Sequence, residues 1–559
     1  MKTITGTSHL IILVAATALF ATTAFAQTQK NYKSGTINVT PANVSTTTLN
    51  GVINSISGTA VVNITARNVR VTTVSGGTLN VGAISGTAGS VPTTVTTLSG
   101  GRVTVNTTGA LTLTAGTNLR VAVTNNGQVI FNQASNGSYS GVMSGRGKLS
   151  KVGNGSLTLL AANTYAGVTT VSAGTLRVNT SSVRGPIDNL SVLVFDQRSE
   201  GTYGGVLSGT GIMNKVGDGT MTLTGANTFT GLTTVFAGKL RGNASSLRGS
   251  IDNRTVVAFD QRSDGTYNGV LSGTGELNKV GDGVLTLRGA NTFTGLTVLT
   301  AGTISGNTSN LRGAIRNNAT LEFNQAGTGN YAEVISGIGI LRKAGSGSVS
   351  FTGANSYTGA TQISAGALFI EGDQENATGA LTVASRATLG GKGMIGGNTT
   401  IASGGSHRIG ASASGSQAGY QTFTKALTYE GGSQAFWRLT ANTTVAVTGG
   451  SQNFDQAGVG TLLSVMPTAT FNLAFNASGS TVDWSDDFWN AAKLNTRGWL
   501  VFNAATISAA GQDVFTLNPP NQWTDSQGVR LSDIRPEYTF AFYKDQAAGE
   551  LYLNYIYSP

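Results

Sequence analysis

One histidine beyond position 26, no cysteine and a thin scatter of carboxylates bound the chemistry open to this chain. That inventory excludes a Cys nucleophile and a His-cluster metal site, and leaves room for at most one Ser-His-Asp arrangement. His407 lies among Gly and Ser without a G-x-S-x-G elbow, and reads as a solvated loop histidine. Carboxylates suit acidic polysaccharides, where a pair acts as acid and base, or Asp holds calcium beside an Arg or Lys base. Asp188, Asp196, Asp252 and Asp260 are candidates by type. Yet Asp252 repeats Asp188, and Asp260 repeats Asp196, whereas a catalytic centre is a unique, asymmetric constellation. The run Asp483-Trp484-Ser485-Asp486-Asp487-Phe488-Trp489 offers a sugar-stacking platform or a cation site. Large aromatics most often bury, so Trp484 and Trp489 read more readily as core. The Gly-Asp-Gly pieces at Asp218 and Asp282 lack the full calcium-binding nonapeptide, and Asn154 and Ser346 replace the Asp in two copies. No cofactor and no metal is expected.

Two further sets recur at a fixed step. Lys151, Lys215, Lys279 and Lys343 are evenly spaced, and Arg184, Arg248 and Arg312 keep the same interval. Stacked as two columns, they form rows of cations that track an acidic polymer by Coulomb attraction. The plainer reading is a solvated corner that discourages lateral strand pairing.

The elements that must position these residues come from the same period. Residues 125–380 hold four 64-residue copies without an indel, opening on Asn125, Asn189, Asn253 and Asn317. Phe131, Tyr139, Asn163 and Gly174 each recur at the same step. Self-similarity at fixed length marks a solenoid whose units stack to bury what none buries alone. Within a copy, short runs such as Val284-Leu-Thr-Leu-Arg-Gly alternate apolar with polar and close on Gly, which is strand and corner with no helical period. The expectation is an all-β, right-handed parallel β-solenoid with a small β-rich C-terminal cap. At roughly 20–24 residues per turn, a copy is about three turns, and like residues pile into columns.

The segment Leu277-Asn-Lys-Val-Gly-Asp-Gly-Val-Leu-Thr-Leu-Arg-Gly-Ala-Asn-Thr-Phe-Thr-Gly, followed by Thr300-Ala-Gly-Thr-Ile, resembles the autotransporter-associated β-strand repeat. All four copies fit, with small departures such as Met213 and Ser356. The resemblance implies a secreted surface protein of a Gram-negative envelope, with a right-handed β-helical passenger whose repeats aid export or adhesion. It implies no catalysis.

Residues 1–26 read as a signal peptide: Lys2, an apolar stretch from Leu10 to Phe20, and Ala24-Phe-Ala26. Residues 27–124 read as an N-terminal cap with degenerate turns, in which Val74-Ser-Gly-Gly and Leu98-Ser-Gly-Gly sit one turn apart. Residues 381–445 read as glycine-rich terminal turns. Residues 446–559, holding four of the five Trp, read as an aromatic β domain too short for a twelve-stranded translocator barrel. Net charge is +10, and export makes an anionic cell-surface or extracellular polysaccharide a better partner than nucleic acid. No transmembrane segment is expected in the mature chain. The function expected is structural or adhesive at the cell surface. The alternatives are a β-helix polysaccharide lyase or glycoside hydrolase, and a subunit that assembles with copies of itself into a surface layer or filament.

Overall fold

Short alternating strands closed by glycine cannot bury a face alone, and the chain solves this by coiling. The computed structural model describes residues 30–32, 36–39, 52–64, 69–82, 91–114, 119–411, 418–445, 452–490, 498–509 and 514–558. The signal-peptide reading of residues 1–26 lies outside them. Two compact units divide the chain: residues 1–258 with 268–272, and residues 259–267 with 273–559.

The first unit is a parallel β-solenoid. Strand Val69–Val81 stacks on Val91–Val105 with Val74 beside Leu98, the register that the repeated Ser-Gly-Gly spells. Further on, Val192–Asp196, Gly201–Tyr203 and Leu207–Ser208 belong to three different sheets, and Ile212–Val216 returns to the first. Each turn therefore has three faces. Inward residues stack in register: Leu149 on Thr169, Thr169 on Ile187, Ile187 on Leu207. Those three steps are no longer than the short end of the roughly 20–24 residues expected of a turn. A little more chain then leads from Leu207 to Met213 on the next face, where the motif begun at Leu149 starts again. A 64-residue copy is thus three turns and one face, not three turns.

This overturns the expected columns. Lys151 stands in the register Phe131, Lys151, Val171, Asn189. Lys215 stands in a different sheet, in the register Phe195, Lys215, Val235, Asn253. Arg184 and Arg248 likewise precede strands Ile187–Asn189 and Ile251–Asn253 of different sheets.

The second unit continues in the same manner from its own strands. One inward column runs Leu285, Ile304, Leu321, Leu341, Thr361, Leu381, Thr399, Leu427. Another runs Val349, Leu368, Leu389, His407, Ala435, Phe471. The end is closed by an antiparallel hairpin. Glu550–Tyr557 pairs antiparallel with Trp499–Ala509 on one side and Tyr538–Asp545 on the other. All five tryptophans are buried in this unit.

Candidate functional site

The repeated polar residues point inward. Lys151, Lys215, Lys279 and Lys343 are all 0% exposed, so neither a solvated corner nor a polyanion-tracking row describes them. A lysine two residues after a buried Met213 or Leu277 shares its face of the strand. The stem of Lys215 stacks between Phe195 and Val235, and its ammonium ends at the corner, where carbonyls converge. Lys215 Nζ donates to the carbonyls of Gly217 (2.6 Å), Ala237 (2.9 Å) and Val216 (3.2 Å). Lys343 Nζ donates to Ala344 (2.7 Å), Gly345 (2.9 Å) and Ala365 (3.1 Å). Lys279 does the same with Val280, Gly281 and Ala301, and Lys151 with Gly153 and Ala173. Each ammonium therefore clamps its own corner to the one reached a turn later. Burial lowers the basicity of all four, that of Lys343 to about 8.

The other repeated groups are also spent on neighbouring turns. Asn227 accepts from Leu207 N–H through Oδ1 and donates through Nδ2 to the Ser246 carbonyl, both at 2.7 Å. Asn163 repeats this with Met143 and Ser182. Tyr203 donates to the Gly185 carbonyl at 2.7 Å and packs on Phe195 with ring centroids 5.5 Å apart.

Arg184, Arg248 and Arg312 are exposed. They leave a corner braced by an Asn side chain: Asn179 Oδ1 accepts from Ser181 and Ser182 N–H, and Asn243 Oδ1 from Ser245 and Ser246 N–H. The carboxylates proposed for polysaccharide cleavage are held by cations or hydroxyls. Asp196 receives Arg177 at 2.7 Å and Arg198 at 3.3 Å, in a groove of about 420 Å³. Burial opposes its ionisation, yet the hydrogen bonds from Arg177 and Arg198 hold its carboxyl below the usual range, the wrong direction for a general base. Asp252 pairs with Arg254 at 2.8 Å, Asp260 with Arg262 at 3.4 Å, and Asp188 meets the Ser208 hydroxyl.

In the Asp483–Trp489 run, Trp484 and Trp489 are 0% exposed and pack edge to face at 4.6 Å. Neither indole face is left for a sugar, because both fill the core under the closing hairpin. Asp483 and Asp486 fold back on their own loop, bonding Ser485 and Phe488 N–H. No group of three metal-ligating side chains occurs among the described residues.

His407 departs from its expected place in a solvated loop. It is 0% exposed, with Nδ1 2.5 Å from the Tyr429 hydroxyl and Nε2 2.8 Å from Gln421 Oε1. An amide oxygen only accepts, so Nε2 carries the proton and Tyr429 donates to Nδ1. Burial lowers its pKa to about 4. A buried ion pair escaped the sequence reading altogether: Asp455 takes Arg438 Nε at 2.8 Å and Nη2 at 2.9 Å. The only signal for it is polar residues inside an aromatic stretch.

Four segments, residues 149–178, 213–241, 277–305 and 341–368, match the family described as Passenger-associated-transport-repeat. Each matched segment contains one such buried lysine and the Ala-Gly corner it clamps. A curated relative, "Adhesin BmaC autotransporter" of Brucella suis biovar 1 (strain 1330), is 51% identical over 75 residues. That alignment is 13% of this chain and 2% of the relative's length. No solved structure matches.

Proposed function

We propose that this chain is an exported, non-catalytic β-solenoid that works in adhesion at a Gram-negative cell surface. The four passenger-associated repeats and the likeness to part of an autotransporter adhesin support that reading. The observation that carries it is where the repeated chemistry goes. Lys215, Asn227 and Tyr203 all spend their polar atoms on backbone of adjacent corners and turns, so repetition builds a scaffold and leaves the outer corners to vary. The test is to display the wild-type chain on cells that do not otherwise adhere, and to count cells retained on polysaccharide-coated and bare surfaces. Retention above the non-displaying strain supports adhesion. Release of new reducing ends or unsaturated products from acidic polysaccharide by the pure chain, lost in Asp196→Asn, would replace it with the lyase or hydrolase reading.

A further inference from the structure

The positive charge of the chain is not spread along it. Residues 1–187 hold 12 Lys and Arg and no Asp or Glu; Asp188 is the first carboxylate. Residues 188–559 hold 23 Lys and Arg against 25 Asp and Glu, so the net +10 arises wholly in the first third. Arg70, Arg102, Arg120, Arg146 and Lys148 are exposed there, and none of them makes an ion pair among the described residues. Turns about 4.8 Å apart lie within one screening length of about 8 Å at physiological salt, so uncompensated charges on successive turns add. Three consecutive corners also frame a surface groove of about 380 Å³: Thr107 and Thr108, then Asn126 and Gln128, then Arg146 and Lys148.

We propose that this groove and the carboxylate-free turns around it bind an acidic polysaccharide. Arg146 and Lys148 meet its carboxylate or sulfate groups, and Thr107, Thr108, Asn126 and Gln128 meet its hydroxyls. The assignment deepens the adhesive reading and rests on it. A lining of short hydroxyl and amide side chains exchanges hydrogen bonds with sugar hydroxyls. It contains no aromatic ring and so gives nucleobases no stacking platform, which favours a saccharide over a nucleic acid.

The test uses the purified chain with polygalacturonate, neutral dextran and single-stranded DNA as probes. Polygalacturonate is expected to bind, and to weaken roughly tenfold or more as salt rises from about 0.05 to 0.5 M and the screening length shrinks. The double variant Arg146→Gln with Lys148→Gln is expected to lose roughly tenfold in affinity, while Arg146→Lys, which keeps the charge, retains it. Arg316→Gln with Arg408→Gln, exposed and in the second unit, should leave binding unchanged. Polygalacturonate bound no better than dextran, binding indifferent to the first pair, or DNA bound as tightly as the polyuronate overturns the assignment. Displaying cells that adhere equally well with the double variant overturn it alone; wild-type cells that do not adhere overturn the adhesive reading.

Discussion

Lys215 shows how a charge becomes core. Its place in the alternation Met213-Asn214-Lys215 puts it on the buried face, while its charge argues for water. The alternation wins because the corner supplies three carbonyl acceptors at the end of a long apolar stem. The strand is legible in the sequence, and the residue's side of it is derivable; what stays hidden is that the Ala237 carbonyl, a turn later, arrives at the same point. Lys215→Met should therefore cost about 3 kcal/mol in urea unfolding, since orphaned buried acceptors cost ~1–3 kcal/mol each. A change below about 0.5 kcal/mol, the size of an ordinary surface substitution, would put the ammonium in water. Lys343 gives the pH dependence its sign. Its folded pKa, about 8, lies below the unfolded value of 10.5. Between these the unfolded chain binds more protons, so stability rises with pH, and below about 8 the penalty is constant. The denaturation midpoint should climb from pH 8 towards 10, and climb less in Lys343→Met. His407 acts at the acid end. It stays neutral in the fold down to about pH 4, so its stabilising contribution is whole above 6.5 and is lost as pH falls towards 4, by up to about 3 kcal/mol at ~1.4 kcal/mol per unit. His407→Phe should flatten that acid limb; an unchanged limb refutes the buried neutral ring. Its neighbours in sequence, Gly405 and Ile409, are both inward-facing, the hint that its Gly-Ser surroundings masked.

Strands and corners were legible because period-two alternation and glycine are local signals. The length of a turn was not, since it depends on which corners meet. The spacing of Val74 and Leu98 overstates the step that pairs Leu149 with Thr169, Thr169 with Ile187 and Ile187 with Leu207. The shorter turns use strands of 3–5 residues, such as Ile187–Asn189, Val192–Asp196 and Gly201–Tyr203, where the longer step carries strands of 13 and 15 residues. Corners tolerate little in such tight stacking. Gly238 has φ of 67°, and a Cβ there would lie 2.5 Å from the Gly219 carbonyl oxygen. Gly238→Ala should cost about 2 kcal/mol or more, within the range for a strained left-handed residue. Gly204→Ala, where the nearest atom is the Thr224 hydroxyl oxygen at 3.5 Å, should be near neutral. Equal melting temperatures for the two variants would refute the close approach of successive corners.

At the scale of the whole chain, fold class followed from the repeat, but phase did not. The period by itself says nothing about how many faces it crosses; only strand pairing, with Lys151 and Lys215 in different sheets, reveals three turns and one face. Every neighbour is then set by position in the copy, not by copy number. Excising residues 189–252 joins Asp188 to Asn253 and restores each pairing, so the product should keep one cooperative transition and its β-type circular dichroism. Excising residues 189–249 instead, slightly less than a full copy, misaligns every later turn and should lose both. Burial of the four repeat lysines has a further consequence outside stability. Trypsin needs an accessible, extended Lys, and acylating reagents need a free, unprotonated amine. These four sites are therefore closed to both while their corners hold, and labelling at Lys151, Lys215, Lys279 and Lys343 becomes a gauge of corner opening, one copy at a time.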